Sequence, residues 1–134
     1  ASGMFEDPGD AQASVYVLRN RTVNIATTEL FLNGTSRRLT VEPGRAMTFD
    51  IMLIARREGG NQVGGYHFEG VIANFDGIMV LSKTGGAIFE LDPFWNANVQ
   101  TNNTDDALQI VVTGQSNAAI RWVATVHTAE VVAP

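Results

Sequence analysis

"AIRWVATVHTAEVV", residues 119–132, alternates along its whole length. Ile120, Trp122, Ala124 and Val126 fall on one side, and Arg121, Val123, Thr125 and His127 on the other. A period of two marks a β-strand with one apolar face. The second face also carries Val123, Ala129 and Val131, so it is not cleanly polar. A sheet that gives its outer face to water shows polar residues there. This strand therefore predicts an outer face covered by another subunit, the alternatives being a few scattered exposed valines on a monomer or cover by the chain's own N-terminal tail.

The same mixture recurs over Met47–Arg57. Met47, Phe49, Ile51, Leu53 and Ala55 share one face, while Thr48, Asp50, Met52, Ile54 and Arg56 share the other. Elsewhere short apolar runs alternate with turn signals. Val15–Leu18 opens a first strand, and Val23 and Ile25 mark a second. "ELFLNGTSRRLTVEPG" reads as a hairpin around Asn33-Gly34, because tight hairpin turns need residues that tolerate positive φ. "YHFEGVIAN" places Tyr66, Phe68 and Ile72 on one face, with Gly70 marking a bulge or a close backbone approach. Asp76-Gly77 and "TGG" (84–86) read as two further turns. Trp95–Thr101 and "ALQIVVTG" (107–114) are strands on either side of the turn "NNTDD". No segment keeps a period of 3.6 over three turns. The chain is thus expected to be all-β, a β-sandwich or jelly roll of about 8–10 antiparallel strands. The acidic, Gly- and Pro-bearing opening is expected to be a flexible tail or linker over residues 1–13, ahead of one sandwich domain over residues 14–134.

Bulk composition excludes several function classes. At 134 residues and 45% apolar, the chain suits one folded domain. It has no cysteine, so disulfides and thiolate metal sites are excluded. Fourteen acidic residues against nine basic ones give a net charge of −5. That balance does not favour nucleic acid as a partner. No apolar run reaches the roughly 18 residues of a membrane helix, so no membrane insertion is expected. The opening "ASGMFEDPGD" shows no signal-peptide pattern.

Five segments occur in a fixed order: "TTELFLNGTSRRLTV" (27–41), "AMTFDIMLIARR" (46–57), "YHFEGVIANFDG" (66–77), "TDDALQIVVTG" (104–114) and "IRWVATVHTAEV" (120–131). Together they resemble a β module at the C-terminal ends of tailed-bacteriophage tail fibres, tailspikes and related virion structural proteins. The resemblance implies a non-enzymatic virion domain, often a homotrimer, assembled in the bacterial host cytoplasm beside other virion proteins. It implies the terminal domain of a fibre, spike or head projection that attaches to a host surface glycan or protein. A carbohydrate-binding module and a capsid decoration protein that stabilises the shell are the alternative readings. The family offers no catalytic motif to carry over.

Candidate residues divide into two groups. The half-apolar outer faces make Met52, Ile54, Val123, His127, Ala129 and Val131 the candidate subunit interface. Polar turn residues Asn61, Gln62, Asp76, Asn102, Asn103 and Asp105 are the candidate receptor loops, since binding residues concentrate on loops held by a rigid scaffold. Catalysis is not expected: no Gly-x-Ser-x-Gly elbow occurs, and nothing pairs Glu58, Glu69, Asp76 and Asp92 as a glycosidase requires. No cofactor is expected. His67 and Glu69 lie two apart, with His127 a further donor, but zinc takes four ligands and no cysteine or third histidine is present; the two are expected to be solvated or interface histidines. Asn102, Asn103, Asp105 and Asp106 are oxygen-rich but lack calcium-loop spacing, and are expected to be a polar turn. Trp122 is expected in the core. Phe94, Trp95 and Tyr66 are expected to pack in the core or at an interface, with Phe94-Trp95 the better pair for exposure.

Overall fold

The computed structural model describes residues 11–92 and 94–133. Its regular elements are nine strands: β1 (Ala11–Thr22), β2 (Thr28–Glu29), β3 (Leu39–Thr40), β4 (Arg45–Arg57), β5 (Val63–Phe75), β6 (Ile78–Glu90), β7 (Asn96–Asn102), β8 (Ala107–Thr113) and β9 (Ile120–Val132). All pairings are antiparallel. One sheet has the order β1-β9-β4-β5-β6. The smaller sheet is built on β8, with β7 along one edge and β2 and β3 end to end along the other. The expected β-sandwich is what forms.

The alternation read in the sequence decides the core. Phe49, Ile51 and Leu53 of β4 and Trp122, Ala124 and Val126 of β9 point inward. They meet Leu108, Ile110 and Val112 of β8 and Val99 of β7. Tyr66, Trp122 and Trp95 form an aromatic stack within it, with ring centroids 6.1 and 5.8 Å apart. Two indole donors are satisfied inside the protein: Trp122 Nε1 donates to Thr22 Oγ1 (2.9 Å) and Trp95 Nε1 to Gln115 Oε1 (2.7 Å). The carboxylate of Glu130 is also buried. Glu130 accepts from Arg45 Nη1 (2.8 Å), Thr128 Oγ1 (2.6 Å) and Gln12 Nε2 (3.1 Å).

Several local expectations need correction. Val23 and Ile25 do not form a strand; both are exposed beyond the end of β1. The stretch after Glu29 is not a hairpin. β2 and β3 both pair with β8, and Asn33 Oδ1 ties the loop between them by accepting from the backbone N–H groups of Thr35, Ser36 and Arg37. A side-chain acceptor here does what a strand ladder would otherwise do. The strand at the start of the chain begins at Ala11, so Ala11–Ala13 of the expected tail lie in β1, while residues 1–10 fall outside the described residues.

The glycines of "TGG" do not turn the chain. They lie inside β6, where a register shift falls opposite Gly65/Tyr66. Gly85 has φ +124°, and a Cβ built there would sit 2.1 Å from the His67 carbonyl oxygen. Gly70, across the same strand pair, is a close approach as read: its Cβ would lie 2.0 Å from the Ser82 oxygen. Both positions therefore need glycine for space, and Gly85 needs it for backbone conformation as well. Gly85→Ala should lower stability by more than about 1 kcal/mol. A urea midpoint equal to the parent's would refute this. The true turn of this hairpin is Asp76-Gly77, with φ values of +56° and +92°, the pair of positive angles that a two-residue hairpin favours.

Candidate functional site

The five-stranded sheet has a second face, turned away from the core. Registers place its side chains in rows across neighbouring strands. Val17, Thr125, Met52 and His67 make one row; Val15, His127, Asp50 and Glu69 the next. On one side follow Ala13, Ala129, Thr48 and Val71; on the other Arg19, Val123, Ile54 and Gly65, then Arg21, Arg121 and Arg56.

All six candidate interface residues lie on this one face. The structure brings Met52, Ile54, Val123, His127, Ala129 and Val131 together across β4 and β9, which are hydrogen-bonded neighbours. All six are exposed. Sequence reasoning missed part of this surface. Val15 and Val17 of β1 extend it on one side at 60% and 46% exposure, and Val71 and Phe89 on the other. The signal for the first pair was present: Val15 and Val17 alternate with Tyr16 and Leu18, as Val123 does with Trp122 and Ala124.

A polar centre interrupts the apolar rows. His67 Nε2 and Asp50 Oδ1 are 2.5 Å apart. Asp50 sits directly opposite Glu69 on β5 and opposite His127 on β9. A shallow groove of about 620 Å³ runs here, lined by Thr48, Asp50, Glu69, Val71, Thr84 and His127 among others. One end of the face is basic. Glu58 bridges Arg21 (2.7 Å) and Arg121 (3.1 Å), and their hydrogen bonds hold its carboxyl below the usual carboxylate range.

The candidate receptor loops do not form one surface. Asp76 lies in the β5–β6 turn, and the turn holding Asn102, Asn103 and Asp105 lies at the same end of the sandwich. Val41 links the two: its N–H donates to the Asp106 carbonyl (2.7 Å) and its carbonyl accepts from Asn74 Nδ2 (2.7 Å). Asn61 and Gln62 precede β5 and so occupy the opposite end. Gln62 is also engaged structurally, accepting from Arg57 Nη1 (2.7 Å) and donating to Asp92 Oδ2 (3.0 Å). Asn102 Oδ1 accepts from the N–H groups of Thr104 and Asp105, which makes it the brace of its own turn.

Of the aromatic candidates, Tyr66, Trp95 and Trp122 are buried, and Phe94 is 77% exposed. Core packing, the expected reading, holds for Trp95, and exposure holds for Phe94 alone. Trp95 turns inward onto Trp122, and Phe94 alone faces out.

No protein-family model matches the chain, and no curated protein matches it. Solved structures do. The chain is similar to part of the tailspike protein gp49 of Acinetobacter baumannii bacteriophage Fri1, a capsular polysaccharide depolymerase. The TM-score is 0.50 at 12% identity, over 88% of this chain and 18% of that one. The tailspike protein of Acinetobacter baumannii phage AM24 matches at TM-score 0.45 and 10% identity, over 90% of this chain and 26% of that one. The Acinetobacter phage vB_ApiP_P1 tailspike protein matches at TM-score 0.42 and 9% identity, over 99% and 24%. The chain thus shares the fold of a segment found in a phage tailspike. It spans less than a third of the length of each.

Proposed function

We propose that this chain is a non-catalytic structural module of a bacteriophage virion, the terminal domain of a fibre, spike or head projection, and that it forms a homotrimer. The observation that carries the proposal is the outer face of the five-stranded sheet. Val15, Val17, Val123, Met52 and Ile54 stand exposed on three adjacent strands. A monomer rarely exposes a contiguous apolar patch of that kind. Its flank of Arg19, Arg21, Arg56 and Arg121 suits the polar rim of a subunit contact, where charge stays near water. Three-fold closure is the symmetry that the sequence resemblance implies, and cyclic assembly brings one patch of each copy to a shared axis. The tailspike fold of the structural relative agrees with this reading.

Attachment to a host glycan or protein would then fall to the end carrying Asp76, Asn102, Asn103 and Asp105, since Asn61 and Gln62 lie at the other. The carbohydrate-module alternative loses its best platform, because both tryptophans are inside the core.

Light scattering on the purified protein tests the proposal. The parent should have three times the chain mass. Val123→Asp and Met52→Asp, made separately, place a charge in the middle of the patch and should each dissociate the trimer. A monomeric parent overturns the reading. Two soluble trimeric variants would move the contact to another surface.

A further inference from the structure

We infer that Asp50, His67 and Glu69 form a binding site for a divalent transition-metal ion, with zinc the best fit and water as the remaining ligand. These residues lie on the same outer face as the proposed trimer contact, and zinc titration reads the site whether or not that contact forms.

Geometry supplies the first argument. The donor atoms of Asp50, His67 and Glu69 all lie within 4.8 Å of one another. Ligand atoms bound to one zinc, at about 2.0–2.2 Å from it, stand roughly 3.3–3.5 Å apart. Closing these three side chains on an ion therefore needs shifts of about an ångström, within the reach of exposed rotamers. His127 stands in the same row, its Cα paired with that of Asp50 from the β9 side. One imidazole and two carboxylates supply three protein ligands, and an open zinc site takes water as its fourth. The sequence shows His67, Glu69 and His127 but not what joins them. The register of β4 against β5 supplies Asp50, which stands beside His67 and Glu69.

Charge supplies an independent argument. Asp50 and Glu69 face each other directly across β4 and β5. Like charges in that position destabilise a sheet. Neither has a lysine or arginine partner among the described residues; Asp50 has His67 alone, and Glu69 has no ion pair. Lys83, on the next strand, is exposed but engaged elsewhere: its Nζ donates to Asn98 Oδ1 and the Val99 carbonyl of β7. A divalent cation held between the two carboxylates would remove that repulsion. The imidazole selects against calcium and magnesium, which take oxygen ligands.

The test uses the full chain, free of any affinity tag and stripped with a chelator, titrated with zinc chloride in a calorimeter. Saturable binding of one zinc per chain is expected. His67→Gln and Glu69→Gln should each weaken it by about tenfold or more. Cobalt(II) in place of zinc should give the visible absorption of a low-coordinate site, and that band should be lost in His67→Gln. All these side chains are at least partly exposed, so the variants should keep the parent's far-UV circular dichroism. The inference is overturned if zinc binding is not saturable, if it survives in the Asp50→Asn/Glu69→Gln double variant, or if calcium binds as tightly as zinc.

Discussion

Replacing Trp122 by alanine should cost about 3–5 kcal/mol of folding stability, the range for deleting a large aromatic from a packed core. Trp122 has no exposed surface. Its ring lies between those of Tyr66 and Trp95, so its removal leaves a cavity that two other aromatics line. A second loss adds to the first. Thr22 Oγ1, itself buried, would lose the indole donor it accepts from, and a buried polar atom without a partner costs free energy of its own. Urea unfolding measures the sum as a lower midpoint at an unchanged slope. Trp122→Phe should recover part of the packing and none of the hydrogen bond. A Trp122→Ala variant as stable as the parent would show that this side chain is not part of the core.

Breaking the Arg45–Glu130 pair should be similarly costly. The Glu130 side chain is 2% exposed and that of Arg45 16%. Arg45→Ala leaves a buried carboxylate without its cation, a change worth about 3–5 kcal/mol. Replacing both partners with methionine should cost far less than the single change, because no charge then remains to be solvated. The pair also sets an acid limit. Burial pushes the Glu130 carboxyl upward, but hydrogen bonds from Thr128, Ser14 and Gln12, with the charge of Arg45, outweigh burial and hold it below the usual range. A carboxyl depressed on folding stabilises the protein above its unfolded value, about 4.3. That contribution fades as pH falls through the lower folded value. Unfolding curves measured through this acid range should fall more steeply for the parent than for Glu130→Gln. Parallel curves would refute the linkage.

How much of this was legible in the sequence depended on whether a residue's environment was set locally or by register. The alternation of Met47–Ala55 and Ile120–Val126 fixed two strands and their inward faces, because a period of two needs no knowledge of partners. The half-apolar outer face was legible for the same reason. The misread segments are those where one signal has two causes. Glycine marks a turn and also a close approach, so Gly85 and Gly86 read as a turn although the backbone runs straight through them. The stretch from Glu29 to Val41 has hairpin chemistry at Asn33-Gly34, but both of its arms were claimed by β8. Asp50 was read only as one polar member of a mixed face. Its neighbours lie 17, 19 and 77 residues along the chain, and only the ladders bring them to it.

The position of β9 in the larger sheet has a consequence for the order in which the fold can form on a ribosome. β9 is the ninth strand made, yet it lies between the first and the fourth. The β4–β5–β6 meander can pair as soon as it emerges. β1 cannot, since its ladder partner, from Ile120 to Val131, is about a hundred residues downstream. Until then β1 and the free edge of β4 both present unpaired backbone and apolar side chains, the state in which strands find wrong partners. Loop closure over that separation is also what makes such topologies slow to fold. Until β9 emerges, β1 and the β4–β5–β6 meander therefore stay unjoined, and the segment "IRWVATVHTAEVV" is the one that locks them into a single sheet.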